Sequence, residues 1–151
     1  MSIVRMVALG SIAAVFAMPG CGSDTNDGPP SVRYGDSICA ECGMIVSDER
    51  FTTATIIEGD RGSEPLIFDD FNCQMIFESK HTDLTIVDRW SHDHGTNEWI
   101  RMDDAWFVKS NKLHTPMASN IASFKAKSDA DTFAKTLNGQ VSDYHELQQP
   151  D

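Results

Sequence analysis

Positive charge is scarce in this chain. Lysine and arginine number 12 against 23 aspartates and glutamates, which gives a net charge of −11. A surface of that sign repels phosphate and argues against nucleic-acid binding. No polybasic stretch is present to hold anionic lipid. Long hydrophobic runs are missing too. The longest, "MVALGSIAAVFA", has twelve residues and is too short for a permanent bilayer-spanning helix. Enzyme signatures are absent: there is no Gly-x-Ser-x-Gly, no His-Glu-x-x-His and no phosphate-binding glycine loop. The chain therefore reads as a protein without turnover chemistry of its own. Cysteine is sparse, with four in 151 residues, so the place of each one carries weight.

The apolar run belongs to a leader. A short basic start, "MSIVR", precedes it and "MPGC" follows, the layout of a secretory signal peptide over residues 1–20. Gly20 before Cys21 resembles a bacterial lipobox, although Met18 and Pro19 depart from its usual residues. Cys21 is the expected lipidation site, which places the protein on the periplasmic side of a bacterial membrane, held by a lipid anchor. Removing the leader takes Arg5 and no acid, so the net charge moves from −11 to −12. Residues 21–36 are rich in Gly, Ser, Asp, Asn and Pro, without apolar period, and read as a flexible tether. Residues 37–151 form the domain.

Within it, "RFTTATIIEGD" is β-branched and alternating, "RGSE" is a turn, and "PLIF" is a second strand. Helical spacing of Phe71, Met75 and Ile76 predicts a helix from about Asp70 to Ser79, with Asp69-Asp70 as its cap. "DLTIVDRW" is a strand and "SHDHGTNE" a polar loop carrying His92 and His94. The second half rhymes with the first. "WIRMDDAWFVKS" gives one or two strands with a turn at Asp103-Asp104. "NKLHTPMASN" is a loop and "IASFKA" a strand. "SDADTFAKTLNG" is a helix with Ser128 as N-cap and Gly139 as stop, and "QVSDYHEL" is a last strand. The fold class is α+β: two similar ββαβ-type units with small, mostly antiparallel sheets. Met75 and Met102 sit in patterned segments and read as core.

The chemistry concentrates in "CAECGM". Three cysteines remain beside Cys21: Cys39, Cys42 and Cys73. Four readings stand open. A Cys39–Cys42 disulfide would leave Cys73 over. A thiol–disulfide redox pair calls for a helix N-terminus, whereas a polar tether precedes this one. Structural zinc wants a fourth ligand and commonly a second pair. The last reading uses Met44, because thiolate and thioether are soft donors that select Cu(I). If the segment is extended, Cys42 and Met44 share a face, with Gly43 leaving the space between them open. Met117, in the polar loop "HTPMASN", lies outside any apolar period and is a candidate third donor, with His114 three residues before it.

The ordered set "CAECGMIVSDERF", "FDDFNCQMIF", "AWFV" and "TPMASNIASF" resembles the NosL family over about residues 37–145. These are membrane-anchored Cu(I)-binding accessory proteins for nitrous oxide reductase assembly. The resemblance implies a NosL-like copper-binding domain and Cu(I) near the Cys-Gly-Met and Thr-Pro-Met segments, which points to Cys42, Met44 and Met117. Cys39 matches the motif as a ligand, a resolving thiol or a structural residue. Cys73 receives no copper role. The implied partners are nitrous oxide reductase and its periplasmic maturation factors. After Thr-Pro-Met this chain has Ala118 and Ser119, where the family more often carries glycine.

Overall fold

The structure, a computed structural model, describes residues 28–149. The expected signal peptide, the Cys21 lipidation site and the first part of the tether lie outside the described residues. Seven strands and three helices follow in order: β1 (Thr53–Gly59), β2 (Gly62–Phe68), α1 (Phe71–Lys80), β3 (Ile86–His92), β4 (Trp99–Arg101), β5 (Trp106–Lys109), β6 (Ile121–Phe124), α2 (Lys127–Leu137), β7 (Gln140–Asp143) and α3 (Tyr144–Leu147). Single turns of 3-10 helix occupy Glu49–Phe51 and Met102–Asp104.

The strands form two antiparallel sheets, ordered β2-β1-β3-β4 and β6-β5-β7. Each half is thus a ββαβ unit whose first strand sits in the middle, and β4 adds an edge to the first. The α+β reading and its two similar units hold. The sheets meet where β3 ends: Asp93 bridges Ser123 of β6, and the Ser123 hydroxyl donates to the His92 carbonyl at 2.6 Å.

Strand β1 is buried on both faces over its first four residues, so it does not alternate. One face carries Ala54 and Ile56 against Trp90. On the other, Thr55 meets α1, where it accepts from Gln74 Nε2 at 2.9 Å and donates to Glu78 Oε1 at 2.6 Å. A polar residue, Gln74, is therefore buried on α1, while Met75 is 44% exposed. The expectation of a core Met75 fails because α1 is apolar on several sides and its hydrogen-bond needs select the inner face. Met102 is buried as expected, in a cluster with Phe71, Ile100, Ala105, Phe107 and Ile121.

Several boundaries differ from the sequence reading. Strand β3 runs on through His92, which is fully buried. His92 Nδ1 lies 3.0 Å from the Thr52 carbonyl, so this nitrogen bears the proton, and Nε2 accepts from the Tyr34 hydroxyl at 3.3 Å. Helix α2 starts at Lys127, with Ala126 rather than Ser128 at the N-cap and no side-chain cap bond. Backbone bonds from Asp129 and Ala130 to the Ala126 carbonyl close its first turn instead. Its stop is Asn138, in the left-handed conformation at φ 51°. Gly139 serves close packing, since a Cβ there would lie 2.9 Å from Val108 Cγ1. The last strand ends at Asp143, whose carboxylate caps α3 in a capping box with Glu146.

Candidate metal centre

Three separate stretches converge on one small site. The first is the loop of Cys39 to Met44, closed at its base by an antiparallel bridge between Ile38 and Ile45. The Cys39 N–H donates to the Met44 carbonyl at 2.8 Å, and the Gly43 N–H donates to the Cys39 carbonyl at 3.0 Å. Gly43 has φ +72°, with nothing within 4 Å of where a Cβ would stand. The extended geometry expected for Cys42-Gly43-Met44 is thus not found. Glycine is there for its left-handed backbone, not for space. The Ala40 N–H pins the loop to β2 through the Ile67 carbonyl at 2.8 Å, and Glu41 pairs with Lys80 at the end of α1.

The second stretch is the start of α1. Asp70 is fully buried, and its Oδ1 accepts from the N–H groups of Asn72 at 2.9 Å and Cys73 at 3.4 Å. This N-cap fixes the first helical turn, and Cys73 with it. The third is the loop between β5 and β6. Asp70 Oδ2 accepts from the Thr115 hydroxyl at 2.8 Å, the Met117 N–H at 3.0 Å and the Ser119 N–H at 3.2 Å. Asn72 Nδ2 donates to the Met117 carbonyl at 2.9 Å. Since the Thr115 proton goes to Asp70, its oxygen accepts from the Ser119 hydroxyl at 3.0 Å and the Asn120 N–H at 3.1 Å. Asp69 works on the other side, where its Oδ1 accepts from the Ser47 N–H at 3.2 Å and ties down the segment after Met44.

The outcome is a cluster of three free thiols. Cys39, Cys42 and Cys73 place their sulfurs within 4.8 Å of one another. Cys39 and Cys73 are buried and Cys42 is half-buried. Cys39 and Cys73 share a buried apolar cluster with Phe68 and Val46, and Met117, Phe77, Val32 and Tyr34 pack against that cluster. A soft cation about 2.3 Å from each of three sulfurs spaces them about 4 Å apart, so the cluster closes on one with shifts under about 1 Å. Burial pushes the Cys42 thiol up, partly offset by the Met44 backbone N–H directed at its sulfur. Burial, reinforced by the two neighbouring thiols, pushes Cys73 up strongly. Asp69 is also raised, by burial first and then by the charges of Asp70 and Asp48, against the opposing Ser47 bond.

The structure brings Cys39 and Cys42 together with Met117 packed alongside. Met44 stands at the loop's base, opposite Cys39, 48% exposed beside the exposed Ile45 and Ile38. His114 is exposed in the same loop as Met117. Cys73, given no role from sequence, is the third corner of the cluster. Two signals pointed to it: the unpaired count of three cysteines, and its place three residues after a helix cap. His92 and His94 belong to the packing. His94 lies among Phe51, Phe124 and Phe133 at ring distances of 4.8–5.7 Å. The thiol–disulfide reading asked for a helix N-terminus; Cys39 and Cys42 sit on a turn, and the Cys42 thiol is raised rather than lowered.

Comparison with known proteins bears on the family and the fold. The NosL family model matches residues 34–150. Comparison with curated proteins finds no match. The crystal structure of the copper chaperone NosL from Shewanella denitrificans matches with a TM-score of 0.66 at 18% sequence identity. That match covers 82% of this chain and 97% of the other. A likeness at that identity speaks for the fold.

Proposed function

Because the chain belongs to the NosL family, we propose that it is an extracytoplasmic Cu(I) chaperone. It takes up Cu(I) through Cys42 with the thioethers of Met44 and Met117, and Cys39 and Cys73 complete the thiol wall behind the ion. His114 is a further exchangeable donor. The observation that carries this reading is the cluster of three thiols within 4.8 Å, with Met117 packed against the apolar core that holds Cys39 and Cys73. Soft donors of both kinds select Cu(I) over harder ions. Neutral thioethers beside one or two thiolates keep the excess charge small, which suits release by ligand exchange.

The half-buried Cys42 and the exposed Met44 give the ion a side from which a recipient's ligands can replace the chaperone's one at a time. The recipient we propose is the machinery that assembles the copper centres of nitrous oxide reductase. Lipidation of Cys21 would hold the carrier at the periplasmic face of the membrane, close to that machinery. The test is anaerobic titration of the reduced domain with Cu(I) against a competing chelator. Met44→Ala, Met117→Ala and Cys42→Ser run beside wild type. Stoichiometric binding weakened in all three supports the assignment. Binding indifferent to both methionines removes the thioethers from it, and failure to compete removes the chaperone.

A further inference from the structure

We propose that Asp70 is a positioning residue for copper binding: its buried carboxylate holds Met117 over the cysteine cluster while seating Cys73 beneath it. The inference rests on the chaperone reading and extends it to a residue that touches no metal. The two oxygens have separate tasks. Oδ1 serves the helix through the N–H groups of Asn72 and Cys73. Oδ2 serves the loop through Thr115, Met117 and Ser119. Asn72, in the first turn of α1, holds the same methionine by its carbonyl. The Met117 backbone is thus gripped at its N–H by Asp70 and at its C=O by Asn72, three positions and one position before Cys73.

The grip matters because the loop's own bonds, such as Ala118 N–H to the Thr115 carbonyl at 3.2 Å and Asn120 N–H to the Thr115 hydroxyl at 3.1 Å, leave the Met117 N–H and C=O to Asp70 and Asn72. Thr115 is held through its side chain, and Ala118 sits at φ 59°, a conformation that costs a residue with a Cβ about 1–2 kcal/mol. A methionine has three rotatable side-chain bonds and gains affinity only if its backbone is already placed. A fully buried carboxylate with five donors supplies that placement. The carboxylate also explains why "FDD" and "TPM" occur together in this chain: one supplies the acceptor, the other the donors.

Asp70→Asn separates the two tasks. Asparagine caps a helix as well as aspartate does, so Oδ1 keeps its role. The amide nitrogen replaces Oδ2 and confronts three donors with a fourth. Asn72→Ala is the second variant, since it frees the Met117 carbonyl at a helical position that alanine favours, and it serves if Asp70→Asn folds poorly. Each is measured alone and combined with Met117→Ala in the anaerobic chelator competition, with amide hydrogen exchange at Met117 and Ser119 in the metal-free protein. The expected result is Cu(I) affinity about 10–100-fold weaker for either variant, faster exchange at Met117, and no further loss once Met117 is already alanine. Losses that add fully to Met117→Ala would mean that Asp70 acts on the thiols or the whole fold, and overturn the inference. So would wild-type affinity in both variants. Absence of Cu(I) binding by wild type overturns the chaperone reading first and this inference with it.

Discussion

Loading Cu(I) should release protons, and the surroundings of the three thiols set how many. Burial raises Cys42 and Cys73 above the ordinary thiol range, so at neutral pH both carry their protons in the metal-free protein. A thiolate bond to Cu(I) forms only when that proton leaves. The protonated thiol is the metal-free form, so lowering the pH weakens binding. Each thiolate recruited makes the apparent affinity about tenfold tighter per pH unit, about 1.4 kcal/mol. The cost of deprotonation is unequal. Cys42 is half-buried and already receives the Met44 N–H, whereas Cys73 is 2% exposed with two thiols beside it. The expected slope is therefore about one to two, a change of about 10²- to 10⁴-fold between roughly pH 6 and 8. Chelator competition at several pH values, corrected for the chelator's own titration, reads the slope. A pH indicator in weak buffer counts the protons. Cys73→Ser should leave the slope unchanged. A slope near zero would show that no thiolate is made, and a slope near three would show that burial does not keep the proton on Cys73. Either refutes the reasoning.

Other consequences are structural. Ala118→Gly should stabilise the protein by about 1 kcal/mol in urea denaturation by relieving its left-handed backbone; no change would mean the loop bears no strain there. His94 has a buried Nδ1 without a partner among the described residues, inside an aromatic cage. His94→Phe should add about 1 kcal/mol at neutral pH. Burial lowers the His94 pKa, so its contribution is complete above the unfolded value near 6.5 and is lost as pH falls through the folded one. The phenylalanine variant should therefore lose less stability than wild type on going to about pH 5, and equal losses would count against the burial argument. Phe68→Ala removes a fully buried ring behind the thiols and should cost about 3–5 kcal/mol. A smaller loss with intact metal binding would place the support of the cluster elsewhere.

Much of this molecule was legible in its sequence, for identifiable reasons. β-Branched composition marked β1, although the expected alternation did not hold, and Asp70 before an apolar run marked α1, because propensity and capping are local properties. The repeated strand–strand–helix–strand order was visible for the same reason. What escaped was decided at a distance. Gln74 lies inside and Met75 outside because Ala54 and Thr55 on a neighbouring strand need a donor. His92 looked like part of a polar loop, yet it is buried between Thr52 and Tyr34 from other parts of the chain. The soft donors of the Cys-Gly-Met segment stood out by residue type. Cys73 did not, because only the fold brings α1 under the Cys39–Met44 loop. Residues 30–36 read as tether by composition, but Val32 and Tyr34 pack against the apolar core of Cys39, Val46, Phe68 and Cys73. The glycine expected after Thr-Pro-Met has a physical counterpart in the left-handed φ of Ala118.

The cluster takes Cys39 and Cys42 from ahead of the first repeat and Cys73 from within it, with Met117 lent by the hairpin of the second. On the proposed reading, the cargo is therefore also a rivet between halves already joined by the Phe71–Phe107 core and by the Asp70 carboxylate. By mass action, a ligand at a hundred times its dissociation constant adds about 2.7 kcal/mol to the fold. Delivery would withdraw that increment and leave an emptied carrier that opens more easily around the vacated thiols. Full and spent molecules would then differ in how long they survive a periplasmic protease, and the population on the membrane would be weighted toward those still holding copper.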